Sequence, residues 1–219
     1  MKSRKIGIMG GTFNPIHYGH LLLAETAREQ FGLDRVIFIP TGVSYLKKDD
    51  NIPSGDIRYQ LVKTAIQDNP YFTCSRIEID REGNTYSIDT ICELQKMYPG
   101  DELYFIVGAD TLLTMNKWKD IDNIFSKVIV LAAIRDDNEI PELDNVRQDY
   151  MNKYNANIQF IHFKRIDISS TDIRNRISIG RSVKYLLPDE CIEFCCLKNL
   201  YSSRNNTVVD YDDIKVYKK

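Results

Sequence analysis

The sequence predicts an α/β protein with a doubly wound, mainly parallel sheet and helices on both faces. Three observations predict it. Short apolar runs alternate with amphipathic helical patterns along nearly the whole chain. The first run breaks into a glycine-rich loop just before a helix begins. No repeat, low-complexity tract or linker interrupts the series, so residues 1–201 are expected to form a single domain.

Residues 6–9 read as the first strand, and the helix that follows runs from about 19 to 31 and is closed by Gly32. A second strand at 36–39 ends at Pro40-Thr41-Gly42, and a polar loop leads to a helix with Ile57, Leu61, Val62, Ala65 and Ile66 on one face. Residues 72–79 alternate like a third strand, with a turn at Glu82-Gly83-Asn84. A helix capped near Ser87 turns Ile88, Ile91 and Leu94 inward and stops at Pro99-Gly100. Further strands are expected at 103–107, 128–134 and 158–163, with short helical pieces after the fourth strand and late helices from Ser170 and Pro188. Residues 202–219 mix polar residues with weak alternation, as a mobile tail or an added edge strand would.

Composition narrows the function. With 29 basic and 31 acidic residues the net charge is −2, so no long polyanion such as a nucleic acid is expected as partner. The five cysteines, Cys74, Cys92, Cys191, Cys195 and Cys196, are odd in number and form no C-x-x-C pair. That argues against a disulfide framework and a zinc knuckle alike, and Cys191 and Cys195 read as apolar packing. No stretch approaches the roughly 20 apolar residues of a membrane span. A reduced, cytoplasmic protein is expected, and a homo-oligomer is left open.

The loop after the first strand reads GGTFNPIHYGH, residues 10–20, and holds two of the three histidines in the chain. Gly10 and Gly11 let backbone approach a phosphate, and the helix start behind them offers free N–H groups. The loop is neither a Walker sequence nor the G-x-G-x-x-G dinucleotide fingerprint, and the second strand ends in Pro-Thr-Gly rather than an acid. A nicotinamide-dependent dehydrogenase is therefore disfavoured. His17 and His20, three residues apart, share a helix face and can both turn towards whatever the glycines hold. A metal pair would need a third ligand, and none lies near in sequence.

The stretch GGTFNPIHYGH resembles the H-x-G-H signature of the nucleotidyltransferase superfamily, in the form typical of bacterial nicotinate-mononucleotide adenylyltransferases. The second signature of that superfamily, I-S-S-T-x-I-R, stands intact as Ile168-Ser169-Ser170-Thr171-Asp172-Ile173-Arg174. Between and after them come FIPTG (38–42), TYSIDT (85–90), FIVGADTL (105–112) with Trp118, and YLLPDECIEFCCLKNLY (185–201). Alone, the second signature would read as an ordinary capped helix with a solvated arginine.

The resemblance implies a Rossmann-like fold and one reaction: ATP and nicotinate mononucleotide give deamido-NAD and pyrophosphate, without a protein nucleophile. It implies that Gly10, Gly11, Thr12 and Phe13 approach the phosphates of ATP. His17 and His20 would stabilise charge at the α-phosphate, with Arg174 as a clamp. Ile168, Ser169 and Ser170 open a helix towards the departing phosphates, and Gly108 and Asp110 approach the ribose and adenine. On the acceptor side, Thr85 and Tyr86 open a helix that receives the pyridine carboxylate and Trp118 stacks on the ring, although Trp118 also reads as core packing. Asn14 shapes the loop. Lys47 would steer a phosphate, and Arg135, a family-like arginine after the fifth strand, would join the substrate-binding residues with Asn14. Magnesium is expected to travel with ATP, since no carboxylate cluster marks a cage of its own.

The chain departs from that pattern in two places. Many relatives carry P-P-H-K after P-T-G, whereas this sequence has Ser44-Tyr45-Leu46-Lys47-Lys48, and Asp136 replaces the usual proline after Arg135. The residues also leave room for an adenylyltransferase with another acceptor, such as nicotinamide mononucleotide or phosphopantetheine, and for a nucleotide-binding sensor without turnover.

Overall fold

The computed structural model describes residues 3–44, 52–134, 140–163 and 166–202. The strands are β1 (Lys5–Gly11), β2 (Arg35–Pro40), β3 (Val43–Ser44), β4 (Phe72–Cys74), β5 (Asn84–Thr85), β6 (Glu102–Val107), β7 (Ile129–Ile134) and β8 (Ile158–His162). The helices are α1 (Tyr18–Phe31), α2 (Gly55–Ala65), α3 (Ser87–Met97), α4 (Ala109–Leu112), α5 (Ile121–Lys127), α6 (Ile140–Tyr154), α7 (Ser170–Ser178) and α8 (Asp189–Leu197), with a 3₁₀ turn at Met115–Lys117.

Six strands form one parallel sheet in the order β4-β2-β1-β6-β7-β8, and β3 pairs with β5 in a separate two-stranded ladder. The alternation along each strand feeds two cores. Ile6, Ile8, Ile37, Ile39 and Phe105 face α3 to α6, where Ile91, Leu94, Ile124 and Leu143 meet them. Met9, Val36, Phe38 and Ile106 face the other way, towards Ala24, Ala27, Leu61, Ile173 and Cys191 of α1, α2, α7 and α8. With both faces covered, the strands carry near-continuous apolar runs, which is why they were legible as a parallel sheet.

The chain order reverses between β1 and β6, which opens a crevice at the carboxyl ends of these two strands. Ile8 lies beside Phe105, so the loops after β1 and β6 leave the sheet at the same edge.

Three expectations need correction. The third strand is not eight residues long: pairing with β2 ends at Phe38 and Cys74. Beyond it the Ser75 hydroxyl accepts the Ile77 N–H at 3.3 Å and the chain turns away, carrying Glu78 inward. The cap of α3 is Tyr86 rather than Ser87, with no side-chain cap bond. Helix α6 was not foreseen; it crosses from β7 to β8 and buries Leu143 and Tyr150. Cys191 and Cys195 lie in the core as expected, and burial pushes both thiols up to about 12. Residues 203–219 of the tail lie outside the described residues. Among the described residues no helix is long and apolar enough to cross a membrane.

Candidate active site

The loop between β1 and α1 is shaped by its own sequence. Above Gly10 the space is open, with nothing within 4 Å of where a Cβ would stand, while Gly11 lies against the Phe13 ring. Phe13 adopts φ 48°, a left-handed backbone that costs a non-glycine residue of order 1–3 kcal/mol and persists where its surroundings fix it. Those surroundings are visible: the ring is buried, edge-on to His20 at 5.2 Å and tilted against Phe38 at 5.9 Å.

His17 caps α1 in extended backbone, and its ring stacks on His20 with centroids 3.8 Å apart. The glycine between them makes this possible. A Cβ on Gly19 would stand 3.0 Å from two atoms of the His17 ring. The His17 N–H donates to His20 Nδ1 at 3.3 Å. Burial lowers the His17 pKa to about 4, and burial together with the neighbouring His17 holds His20 well below the usual imidazole value. Both rings are therefore neutral at neutral pH. Because Nδ1 of His20 accepts a hydrogen bond, its single proton sits on Nε2, which is the donor left for a ligand. The Nδ1 atom of His17 and the Oδ1 atom of Asn14 are buried without a hydrogen-bond partner.

Residues from the far end of the chain brace this loop. Ser170 Oγ donates to the Pro15 carbonyl at 2.8 Å, and Arg174 Nη1 donates to the Asn14 carbonyl at 2.8 Å. The Tyr18 N–H donates to the Leu186 carbonyl at 3.0 Å. Ser169 caps α7 by accepting the Asp172 N–H at 3.1 Å, and Ile168 packs against the core beneath. The two signatures are thus one structure, with the N-termini of α1 and α7 side by side.

Arg58 is a residue that sequence reasoning missed. It is 4% exposed and donates to the carbonyls of Thr12 at 2.9 Å, Thr41 at 2.6 Å and Pro53 at 3.0 Å. Among the described residues it forms no ion pair. Burial lowers the Arg58 pKa while the charge of nearby Glu78 opposes that, and its guanidinium lies beneath the glycine loop with carbonyls as its hydrogen-bond partners. The signal was present: Arg58 stands three and four residues before Leu61 and Val62, on the buried face of α2.

Gly108 caps α4 at the end of β6, and Asp110 is exposed in its first turn. Thr85 is buried on β5 and Tyr86 caps α3. Trp118 is half-buried and edge-on to Phe105 at 5.9 Å, and the neighbouring Lys119 holds its ammonium 4.1 Å from the Tyr86 ring centroid. The structure brings Tyr86 and Trp118 to one region of the edge. Lys47 and Arg135 lie outside the described residues. The loop offers N–H, hydroxyl and imidazole groups, and among the described residues no cluster of three or more His, Cys, Asp or Glu could cage a metal ion.

Comparison with known proteins agrees with this geometry. Residues 8–176 match the model of the cytidylyltransferase-like family. The chain belongs to that family. It is 42% identical over 207 residues to a protein of Moorella thermoacetica named "Probable nicotinate-nucleotide adenylyltransferase", covering 94% of this chain and 95% of the relative. A relative of the same name from Lachnoclostridium phytofermentans is 41% identical, over 85% of this chain and 93% of its own length. Among solved structures, the nicotinic acid mononucleotide adenylyltransferase of Plasmodium falciparum complexed with NaAD superposes with a TM-score of 0.75 at 16% identity. That match covers 90% of this chain and 97% of the other, and it shows the shared fold. The resemblance carried by the two signatures thus extends along nearly the whole polypeptide.

Proposed function

We propose that this chain transfers the adenylyl group of ATP to nicotinate mononucleotide, giving deamido-NAD and pyrophosphate. The observation that carries the reading is the meeting of the two signature segments, Ser170 on Pro15 and Arg174 on Asn14, beside two stacked neutral histidines. The named relatives support the choice of acceptor.

In this reaction an oxygen of the mononucleotide phosphate bonds to the α-phosphorus of ATP. The bond from that phosphorus to the α–β bridging oxygen breaks, and pyrophosphate leaves with the electron pair. The protein's part is to position both substrates and to meet the developing charge. The amides of Gly10, Gly11, Thr12 and Phe13 would line the triphosphate, with open space above Gly10 for a close approach. His20, through Nε2–H, and His17 would donate to the α-phosphate oxygens. Their neutrality spares the site an unpaired buried cation before ATP arrives, and a bound polyanion would draw their pKa values up. The start of α7, from Ile168 through Ser169 and Ser170, would face the departing pyrophosphate, with Arg174 turning to clamp it. Gly108 and Asp110 would border the adenosine.

On the acceptor side the first-turn amides of α3, behind Thr85 and Tyr86, would receive the pyridine carboxylate, and Trp118 would cover the ring. Asn14, Lys47 and Arg135 would serve the mononucleotide phosphate. A divalent cation, magnesium with ATP, would be held by the phosphates themselves, because the described residues do not fit a cage for it. The protein would work in the cytoplasm as one catalytic unit over residues 1–201, without nucleic acid.

The test is a paired assay with ATP, magnesium and either nicotinate or nicotinamide mononucleotide, reading pyrophosphate release. A larger kcat/KM for the nicotinate form is expected. A larger value for the amide would overturn the choice of acceptor, and silence with both would remove the catalytic reading.

A further inference from the structure

One buried acid has no part in the chemistry above. Glu78 is 9% exposed, in the turn that replaces the expected end of the third strand. Its carboxylate accepts the Thr90 hydroxyl at 2.9 Å from the first turn of α3. It also accepts the backbone N–H of Gly42 and the hydroxyl of Thr85. These groups come from three separate pieces of chain: the loop after β2, strand β5 and helix α3. The same turn touches Gly42 a second time, since a Cβ there would lie 2.0 Å from the Glu78 carbonyl oxygen.

Two links run outward from this knot. Gly42 follows Thr41, whose N–H donates to the Gly11 carbonyl at 2.9 Å, so the knot is tied to the phosphate-facing loop. Arg81 donates to the Thr90 hydroxyl at 3.0 Å and pairs with Glu93 on α3 at 2.8 Å, so it is also tied along the helix. Burial pushes the Glu78 carboxyl above the ordinary range, while Thr90, Arg81, Gly42 and Thr85 pull the other way. The three donors favour the ionised form, which accepts without a proton of its own to place.

We infer that Glu78 is a specificity-determining positioning residue, which fixes the N-terminus of α3 relative to the glycine loop and so sets where the acceptor's pyridine ring is held. Its side chain touches neither substrate; it acts through Thr85, Thr90 and Gly42. In-line attack needs the acceptor phosphate and the α-phosphorus in register, and a misplacement of about 1 Å can cost about 10²-fold. A helix freed to shift by that much would lose its grip on the acceptor before its grip on ATP, which is held by α1, α7 and Arg58.

The inference rests on the proposed acceptor site, and the test separates the two. Kinetics with ATP and nicotinate mononucleotide are measured for the full chain and for Glu78→Ala, Glu78→Gln and Thr90→Val. Glu78→Ala is expected to raise KM for the mononucleotide about tenfold or more and leave KM for ATP within about twofold. Its preference for nicotinate over nicotinamide mononucleotide should also fall. Glu78→Gln keeps an acceptor oxygen and should recover part of the loss, and Thr90→Val, which removes one donor, should give a smaller shift of the same kind. If Glu78→Ala does not fold, the other two variants decide. Equal changes in both KM values, or no change in either, in folded variants of an active wild type overturn the role of Glu78 alone. A wild type that releases no pyrophosphate overturns both readings.

Discussion

Around residues 10–20 the backbone is held by atoms remote in sequence: Ser170 reaches Pro15 across 155 residues and Arg174 reaches Asn14 across 160. Around residues 78–119 the ties are mostly local: Glu78 to Thr90 and Arg81 to Glu93 each span 12 residues. The histidine-bearing half is therefore fixed only when the whole fold is in place. The other half is tied mainly within one short stretch, with Gly42 and Tyr150 as its links to the rest of the fold.

The comparison can be broken by variants that strike one half and are felt in the other. His20→Ala removes the Nε2–H donor and is expected to lower kcat by about 10²–10³ with either mononucleotide, ATP affinity changing less. A loss confined to one acceptor would erase the boundary between the halves.

Acid should also act on the histidine-bearing half first. His17 has a folded pKa of about 4 against 6.5 for a free imidazole, so below 6.5 the unfolded chain binds more protons. The stability it contributes is complete above pH 6.5 and lost as the pH falls towards 4, a change on the order of 3 kcal/mol. His20 works in the same direction. Glu78, with its raised pKa, works with the opposite sign, favouring the fold as its carboxyl takes up a proton. Urea midpoints measured from pH 7 to 4 should fall, and His17→Asn should flatten that slope; an unchanged slope would mean that the ring is not buried neutral.

Arg174→Ala removes a charged donor from the Asn14 carbonyl and from the proposed phosphate clamp, so KM for ATP should rise roughly 10- to 100-fold. The smallest effect is expected at Trp118. Replacing it by alanine should raise KM for the mononucleotide roughly 3- to 10-fold, as the loss of one aromatic contact does, and leave KM for ATP unchanged. A change in KM for ATP of the same size would sharpen the picture differently, by making Trp118 a core residue whose loss is felt everywhere.

Much of this was legible in the sequence, because strands buried on both faces and helices with one apolar face announce themselves by period. The two signatures could be read together only through the family resemblance, since alone the second reads as an ordinary capped helix. The third strand was over-read, since residues 72–79 keep alternating after their neighbour β2 has stopped pairing at Phe38. Helix α6 was missed although Leu143, Val146, Tyr150 and Tyr154 recur at helical spacing; its polar remainder and Pro141 hid the pattern. Arg58 and Glu78 were passed over for a different reason. Charged residues are read as surface by default, and what buries these two are backbone carbonyls and hydroxyls from other segments, which one-dimensional spacing does not reveal.

The bond from the Tyr18 amide to the Leu186 carbonyl also bears on how the molecule is made. A ribosome delivers the glycines and histidines well before the residues that steady them, by 155 residues for Ser170 on Pro15 and 160 for Arg174 on Asn14. While synthesis is under way the stacked rings have no braces from α7 or α8. The loop between β1 and α1 is therefore steadied only as α7 and the segment leading into α8 dock against it.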